Sequence, residues 1–554
     1  MSQIRKLTSR AWIRTCTVGL LILAAALFFT RAMSISYAAA PAKSTPTPTP
    51  TPAPAGPQTW VVAFQNANGL PDNVDTIVAN AGGQITTKVP EIGGIAVTST
   101  NPNFGTNIVA NVQVKAADVA TPTMLIDPVG PTEQSSTNNG GTAQPTGSDL
   151  QGMPDSLGYE QWDKKKMNAT VTGSYAIQQG RKDVRVFVID TGVDQNHPDI
   201  QANLSPQAPA GESVSFVTIP AAELATIQDF NGHGTWTASA VGAPINGIGI
   251  SGVAPNVTIV SGKVLNGGGQ GLFIWTDQAL VYAGLKHFDV VSASLGGYIP
   301  KNGFYSHSKN LGGAPGDHTD YILLQRATEF ARSNGVLPVA ALGNDSSDLS
   351  DGTFFRSFTE APGGMAGWVG VSATGYDDGK AFYSNYGMGN TDVSAPGGST
   401  RDYSGVPGSS AAICPHGSLC RLIGAWSSTG SSVPADPVEV CTGPGSTPPC
   451  GLYGYVQGTS MATPNAAGVA ALIISQYGDF TSNNPNKIHM SPTTVEQYLQ
   501  TSANNQPCPT PNTVTQGPGT TFGFTTATCQ GDTGYNSFFG KGIVDALKAV
   551  TLKK

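Results

Sequence analysis

The chain has 554 residues, a net charge of −7, only 12% charged residues, 68 Gly and 40 Pro. This length allows two to four domains and at least one large hydrophobic core. The acidic balance argues against a nucleic-acid partner, because such a protein needs a basic surface to neutralise phosphates. Only one long apolar run occurs, at 18–29, which argues against a multi-span membrane protein.

The N-terminus has the pattern of a secretory signal peptide. Basic residues from Arg5 to Arg14 precede the apolar run, and small residues follow at 36–40. The run is shorter than the roughly 20 apolar residues that a membrane-spanning helix needs. We therefore predict a signal peptide over 1–38 and a secreted protein. The alternative is an N-terminal segment retained as an anchor at the cell surface, and only then would the membrane be a partner.

Two linkers divide the rest of the chain. Thr and Pro alternate within 39–58, which predicts a stiff, extended linker. A small mixed domain follows over 59–128, with strands predicted at 60–64, 85–89 and 95–97 and a helix at 74–81. Residues 129–154 are polar and Gly-rich, as in a flexible linker. Residues 155–550 form one larger domain.

In the larger domain, apolar strands alternate with helices. Strands are predicted at 184–189, 257–260, 289–294, 336–341 and 368–373, and helices at 276–287 and 320–334. A third, apolar helix is opened by the segment 458–464 and runs to about Tyr477. This alternation is typical of an α/β fold, with a mostly parallel central sheet and helices on both faces. Ligands of such sheets bind at the carboxyl ends of the strands.

Six cysteines follow the signal peptide: Cys414, Cys420, Cys441, Cys450, Cys508 and Cys529. An even number in an exported chain favours up to three disulfides. Proximity along the chain favours the pairs 414–420, 441–450 and 508–529, and free thiols are the alternative. No CxxC pair is present, which argues against a zinc site.

Three polar residues at element ends could act together. Asp190 follows a buried strand, His233 is flanked by glycines before a helix, and Ser460 opens an apolar helix. Singly, they would be a turn former, a loop residue and a helix cap. Together they provide a nucleophile, a base and an orienting acid for acyl transfer. The Asn344 amide, just after another buried strand, could join the helix N–H groups in stabilising an oxyanion.

The segments around these residues resemble the boxes of the subtilisin-like serine proteases, or subtilases. They are VIDTGVDQNHPDI (188–200), NGHGTWTASAVG (231–242), AALGN (340–344) and GTSMATPNAAG (458–468). The resemblance implies a subtilisin-like fold and a serine endopeptidase that needs no cofactor for its chemistry. Trp236 and Asn465 stand where the family usually has His, so we expect altered packing or subsite shape at these positions.

The resemblance also implies where a peptide or protein substrate binds. Two segments would flank the side chain that precedes the scissile bond: Ser294, Leu295 and Gly296, and Ala341, Leu342 and Gly343. An extended peptide would then pair with exposed backbone. The alternative is that both segments are ordinary strand ends with turn glycines.

Residues 59–128 resemble the inhibitory prodomain of this family, with the likeness carried by AGGQITTKVPEIGGIAV (81–97). This implies a precursor whose own prodomain is an intramolecular inhibitor and is removed by self-cleavage within 129–156. A permanent N-terminal binding module is the alternative.

A structural calcium site is also implied. Asp199, the Asn246 side chain and the carbonyls of Pro244, Ile248 and Ile250 stand at positions resembling a calcium site of bacterial subtilisins. Asp199 could instead cap a turn.

Residues 399–457 form a long stretch before the serine box, and either shape the substrate cleft or form a stapled surface loop. The main prediction is a secreted endopeptidase. The alternatives are a narrow leader-peptide processing protease and, from another class, a catalytically silent cell-surface binding protein.

Overall fold

A computed structural model describes residues 5–6, 56–125, 152–302, 305–306, 318–353, 355–402, 412–413, 420–431, 434–443, 447–481, 484–515 and 526–553. The described residues from 57 onward, with Arg5 and Lys6, belong to one compact unit, which contains all the elements below. Apart from Arg5 and Lys6, the predicted signal peptide lies outside the described residues, as does most of the linker over 129–154. Within the described ranges, no helix combines the length and apolar character needed to cross a membrane.

The centre of the molecule is a seven-stranded parallel sheet. Its strands lie in the order Val393–Pro396, Val369–Thr374, Leu337–Ala341, Val290–Ala293, Arg185–Asp190, Thr258–Lys263 and Val214–Ser215. They are apolar because both faces of the sheet are covered. The predicted α/β architecture is confirmed.

Alternate side chains of the central strand Arg185–Asp190 belong to two different hydrophobic cores, one on each face of the sheet. Val186 and Val188 belong to a core that includes the helices His233–Gly242 and Thr459–Tyr477. Phe187 and Ile189 point to a second core, with the helices Phe273–Lys286 and Thr319–Ser333. Further helices are Trp162–Lys166, Pro492–Ser502 and Ala546–Val550.

The N-terminal domain has an antiparallel sheet of its own. Its strands are Val114–Val119, Gln58–Phe64, Gly94–Ser99 and Gly83–Val89, in that order, with Tyr305–Ser306 at the edge. Its helices are Val74–Ala81 and Phe104–Val109. Trp60 and Phe104 pack in a separate core on one face, while Val61 on the other face shares a core with Leu323 of the larger domain.

The long stretch before the serine box contains a β-hairpin, Ala435–Gly443 and Thr447–Val456, flanked by the strand Leu422–Trp426. Disulfides join Cys441 to Cys450 in this hairpin and Cys508 to Cys529 elsewhere. Both pairs were expected. The other expected pair involves Cys414, which lies outside the described residues.

Four smaller groups of strands complete the structure. They are Pro122–Leu125 with Gln270–Leu272, Leu295–Pro300 and Phe358–Ala361; Arg401–Asp402 with Ala412–Ile413; Asp479–Thr481 with Asn484–His489; and Thr513–Thr515 with Thr526–Thr528. The first group forms a sheet of its own beside the carboxyl ends of the central strands, because Leu295–Pro300 begins two residues after the central strand Val290–Ala293.

Candidate active site

Asp190 and His233 form a buried pair at the carboxyl edge of the central sheet. Asp190 ends its strand, and His233 is the first residue of its helix. His233 Nδ1 lies 2.8 Å from Oδ1 and 3.0 Å from Oδ2 of Asp190. The carboxylate also accepts hydrogen bonds from the Thr191 N–H and the Thr237 hydroxyl. Because the Asp190 carboxylate can only accept a hydrogen bond, this arrangement favours the His233 tautomer that carries its proton on Nδ1.

The other ring nitrogen of His233 is free of hydrogen bonds. Nε2 is buried and has no partner among the residues that the structure describes. Ser460, the second residue of its helix, instead donates its hydroxyl to the Ser294 carbonyl at 3.4 Å. Ser294 Oγ in turn donates to the Ser460 carbonyl at 2.8 Å. The contact between Ser460 and His233 that catalysis would need is therefore not formed in this structure.

Asn344 is held by the residue that precedes Ser460. Its Oδ1 accepts hydrogen bonds from the N–H and the hydroxyl of Thr459, both at 2.9 Å. Because the oxygen is used in this way, the Nδ2 donor is turned to the other side of the amide. A Cβ atom on Gly458 would lie 3.2 Å from this Nδ2. The donor therefore lies beside the backbone that leads into Ser460, and Thr459 is a site residue that sequence reasoning missed.

A peptide segment of the chain itself lies in the predicted substrate groove. The strand Pro122–Leu125 pairs antiparallel with Gln270–Leu272 on one side. On the other side Leu125 is opposite Leu295, and Met124 is opposite Gly296. Two of the predicted substrate residues therefore contact extended backbone, as β-augmentation requires.

The remaining predicted substrate residues end neighbouring central strands. Ser294 follows Val290–Ala293 directly, while Ala341 ends Leu337–Ala341 and continues into Leu342 and Gly343. The two strands are adjacent and parallel, so both segments reach the same edge of the sheet.

The two unusual positions have structural explanations. Trp236 is fully buried among Trp162, Trp426, Leu422 and Met461, and its Nε1 donates to the Gly454 carbonyl of the hairpin. The indole thus fills the space between the histidine helix and the long stretch before the serine box.

Asn465 is hydrogen-bonded to a buried ion pair between Lys164 and Asp163. Lys164 Nζ lies 2.7 Å from Asp163 Oδ2 and 2.8 Å from Asn465 Oδ1, and all three side chains are buried. The Asn465 amide also donates to Asp163 and to the Pro396 carbonyl. A neutral side chain at this position lets the Lys–Asp pair satisfy its charges.

The loop before His233 is held by the long stretch and by one buried carboxylate. Ser427 Oγ donates to the Asp229 carbonyl at 2.6 Å, and Ser428 Oγ donates to Asp194 Oδ2 at 2.7 Å. The Asp229 carboxylate accepts hydrogen bonds from the Gly232 N–H and the Thr235 hydroxyl. The stretch therefore contacts the loop that precedes His233, and Asp229 is a second residue that sequence reasoning missed.

The predicted calcium ligand Asp199 is fully buried. Its oxygens accept hydrogen bonds from Asn246 Nδ2, the Ile250 N–H and the Tyr453 hydroxyl, at 3.0, 2.8 and 3.1 Å. Ile248 donates its N–H to Asn246 Oδ1. Asp199 is therefore hydrogen-bonded to Asn246 and Ile250, in the loop that contains the other predicted ligands.

A second buried carboxylate, Asp155, accepts hydrogen bonds from the N–H groups of Asn246 and Gly247 in the same loop. Burial raises the pKa of both carboxyls, and the charge of Asp155 raises the pKa of Asp199 further. In the described part of the chain, no Lys or Arg forms an ion pair with either. Two buried carboxylates beside amide and carbonyl oxygens fit a hard cation such as Ca²⁺.

The model of the subtilase family matches residues 181–542. Subtilisin NAT of Bacillus subtilis subsp. natto is 29% identical over 299 residues, covering 54% of this chain and 57% of that protein. The nisin leader peptide-processing serine protease of Lactococcus lactis is 29% identical over 344 residues, covering 59% and 45%. The chain thus spans about half the length of these curated relatives.

Solved structures share the fold. The epidermin leader peptide processing serine protease of Staphylococcus aureus superposes with a TM-score of 0.60 at 21% identity, over 90% of this chain and 100% of that chain. Fervidolysin of Fervidobacterium pennivorans also has a TM-score of 0.60, at 19% identity, over 90% of this chain and 61% of that chain. With its family match over 181–542, this chain belongs to the subtilase family.

Proposed function

We propose that the protein is a serine endopeptidase with Asp190, His233 and Ser460 as its catalytic triad. The observation that carries this proposal is the buried Asp190–His233 hydrogen bond of 2.8 Å, which leaves Nε2 of the ring without a partner. A neutral, oriented imidazole with one open nitrogen is what a general base needs. Ser460, at the beginning of a 19-residue helix, is the nucleophile.

In the proposed mechanism, substrate binding brings the Ser460 hydroxyl to His233 Nε2, a contact that is often longer before substrate binds. The hydroxyl attacks the scissile carbonyl while His233 takes its proton and then gives it to the leaving amine. Asp190 stabilises the imidazolium. The Ser460 N–H and Asn344 Nδ2 donate to the oxyanion. Water then repeats the sequence on the acyl-enzyme, and no step requires a cofactor.

We also propose that residues 59–128 are an inhibitory prodomain. The strand Pro122–Leu125 lies in the groove that an extended substrate would use. Asp118 accepts hydrogen bonds from the N–H and hydroxyl of Thr319, at 2.9 and 2.7 Å, and Arg326 donates to the carbonyls of Phe64 and Ile92. These contacts support a docked inhibitor that must be cut from the larger domain, within 129–156, before substrates can enter.

The intact mass of the product secreted into the medium tests this proposal. The wild type should lose the region before about residue 156, whereas Ser460→Ala should keep the prodomain because self-cleavage needs the nucleophile. Ser333→Ala, an exposed serine at the end of a helix, is the control and should mature normally.

Three outcomes of this experiment would contradict parts of the proposed function. If both proteins keep the region, the chain is not self-activating, and the alternative of a silent cell-surface binding protein gains. Loss of the region from both would show that another protease makes the cut. Retention of residues 1–38 on a cell-bound product would replace secretion with an N-terminal anchor.

A narrow leader-peptide processing activity is the second candidate. It is favoured by the 29% identity to the nisin leader peptide-processing protease. Digestion of denatured casein separates the two: many products indicate a broad endopeptidase, and very few indicate a processing enzyme.

We further propose that Asp155, Asp199, Asn246 and the neighbouring carbonyls bind Ca²⁺. A ligand that binds only the folded state at 100 times its Kd adds about 2.7 kcal/mol to the free energy of unfolding. Excess CaCl₂ should therefore raise Tm by about 3 °C over EDTA.

In Asp199→Asn this increase should disappear, whereas Asp351→Asn, an exposed carboxyl elsewhere, should keep it. An identical Tm in CaCl₂ and EDTA for the wild type would show that the hydrogen-bonded loop works without the metal.

A further inference from the structure

Glu360 is a buried carboxylate that the proposed mechanism does not use. It lies in the strand Phe358–Ala361, which pairs antiparallel with Leu295–Pro300, and it is opposite Tyr298. The same Leu295–Pro300 strand holds the peptide segment Pro122–Leu125 on its other edge. Only 4% of Glu360 is exposed. A charged side chain is thus buried one strand away from a bound peptide.

The carboxyl group of Glu360 lies between the two segments that flank the residue before the scissile bond. It accepts a hydrogen bond from the Gly297 N–H, one residue beyond Ser294–Gly296. Its carboxyl carbon lies 3.5 Å from the place where a Cβ atom on Gly343 would be. Gly343 has a φ of +102°, and the Asn385 amide lies on the same side of it, 2.4 Å from that Cβ position. The Glu360 carboxyl group therefore lies close to both segments, where it could face the side chain that precedes the scissile bond.

A second carboxyl group, that of Asp345, interacts electrostatically with Glu360. Asp345 directly follows Asn344, and its Oδ2 accepts a 2.7 Å hydrogen bond from the Tyr298 hydroxyl. Burial raises the pKa of Asp345; burial and then the charge of Asp345 raise the pKa of Glu360. Within the described residues, neither has a Lys or Arg in salt-bridge contact. Buried carboxylates without a counter-ion are costly, so the pocket gains stability when a cation enters it.

We propose that Glu360 and Asp345 select substrates with Arg or Lys before the scissile bond. This inference rests on the proposed peptidase function and names its substrate class. A long basic side chain can reach Glu360 while its backbone stays paired with Leu295 and Gly296. The planar guanidinium can donate two parallel hydrogen bonds to Glu360, so Arg should be preferred to Lys.

Self-cleavage is not a fair test of this preference. The chain has no Lys or Arg between Lys115 and Lys164, so a cut there must follow a residue that is not basic. The strand Pro122–Leu125 is tethered in the groove, and a high effective concentration can offset a poor fit in the pocket. Added peptides, which lack this advantage, report the pocket itself.

The experiment measures kcat/KM of the mature secreted protein on four peptide amides that differ only in the residue before the scissile bond: Arg, Lys, Gln or Leu. The wild type should cleave the Arg peptide about 10²-fold better than the Gln or Leu peptide. Glu360→Gln should lose about 10²-fold on Arg while keeping its rate on Leu. Glu329→Gln, the same change at an exposed helix position, should behave as the wild type. Equal wild-type rates on Arg and Leu, or an unchanged ratio in Glu360→Gln, would overturn the proposal.

Asp345→Asn is the second variant, in case Glu360→Gln is not secreted. It removes one charge, and an Asn oxygen can still accept from Tyr298, so the Arg preference should fall about tenfold; an unchanged preference would count against the pocket. Labelling of Ser460 by phenylmethanesulfonyl fluoride, detected by mass spectrometry, tests the peptidase function separately from the preference for Arg or Lys. A labelled protein that prefers Leu overturns the pocket and leaves the peptidase function standing. A protein that is neither labelled nor active overturns both.

Discussion

Replacing His233 with Ala is expected to lower kcat by about 10⁶-fold, the size of the loss in subtilisin itself when a triad histidine is removed. The expectation follows from the geometry. Nδ1 is bound to a buried carboxylate at 2.8 Å, and Nε2 has no other partner in the described residues. Without the ring, the proposed mechanism has no general base to take the Ser460 proton.

Turnover at saturating peptide concentration measures this loss. Because His233→Ala should keep its prodomain, both proteins are first treated with a second protease that cuts the linker over 129–154. His287→Asn serves as the control, since His287 is exposed and Asn tolerates its positive φ of 50°. A loss smaller than tenfold in His233→Ala would show that His233 is not the base.

Replacing Asn344 with Leu should lower kcat by about 10²–10³-fold and leave KM nearly unchanged. Leu has a similar size but cannot donate a hydrogen bond, and the loss of one oxyanion donor in subtilisin has this magnitude. The donor is useful because it is already oriented: two hydrogen bonds from Thr459 fix Oδ1, and Nδ2 lies beside Gly458, two residues before Ser460. An interaction made only in the transition state affects kcat rather than ground-state binding.

Separate determination of kcat and KM is the measurement, on protein whose prodomain has been removed. Thr459→Val, which keeps the backbone N–H but loses the hydroxyl, should cost less, about tenfold, because Asn344 is still held by one bond. If Asn344→Leu instead raises KM with kcat intact, Asn344 binds substrate and does not stabilise the transition state.

Local sequence predicted most regular elements well. The helix at 74–81 is observed with the same ends, Val74–Ala81, because its apolar spacing is helical and Gly82 ends it in a left-handed conformation. The central strands agree to within a few residues. The helix predicted from 276 begins earlier, at Phe273, and the three additional residues, Phe273, Ile274 and Trp275, are all buried in its first turn.

Elements stabilised by distant partners were missed. The hairpin of Ala435–Gly443 and Thr447–Val456 has little apolar alternation, and its second strand is held by contacts such as Tyr453 with Asp199 and Leu452 with His197. The strand Pro122–Leu125 pairs with residues about 150 positions away. Pairing over such distances depends on tertiary contacts rather than on local propensity.

The sequence by itself determined the family, the α/β architecture and the residues proposed for the triad, because these rest on short motifs and on apolar periodicity, which are local properties. Only the tertiary structure decided which side chains surround them. Thr459 orients Asn344, Asp155 joins Asp199, and Glu360 lies close to both predicted substrate segments, each through contacts between segments far apart in the chain. The charge of a pocket depends on which distant strands bring their side chains together, so a local sequence pattern does not predict it.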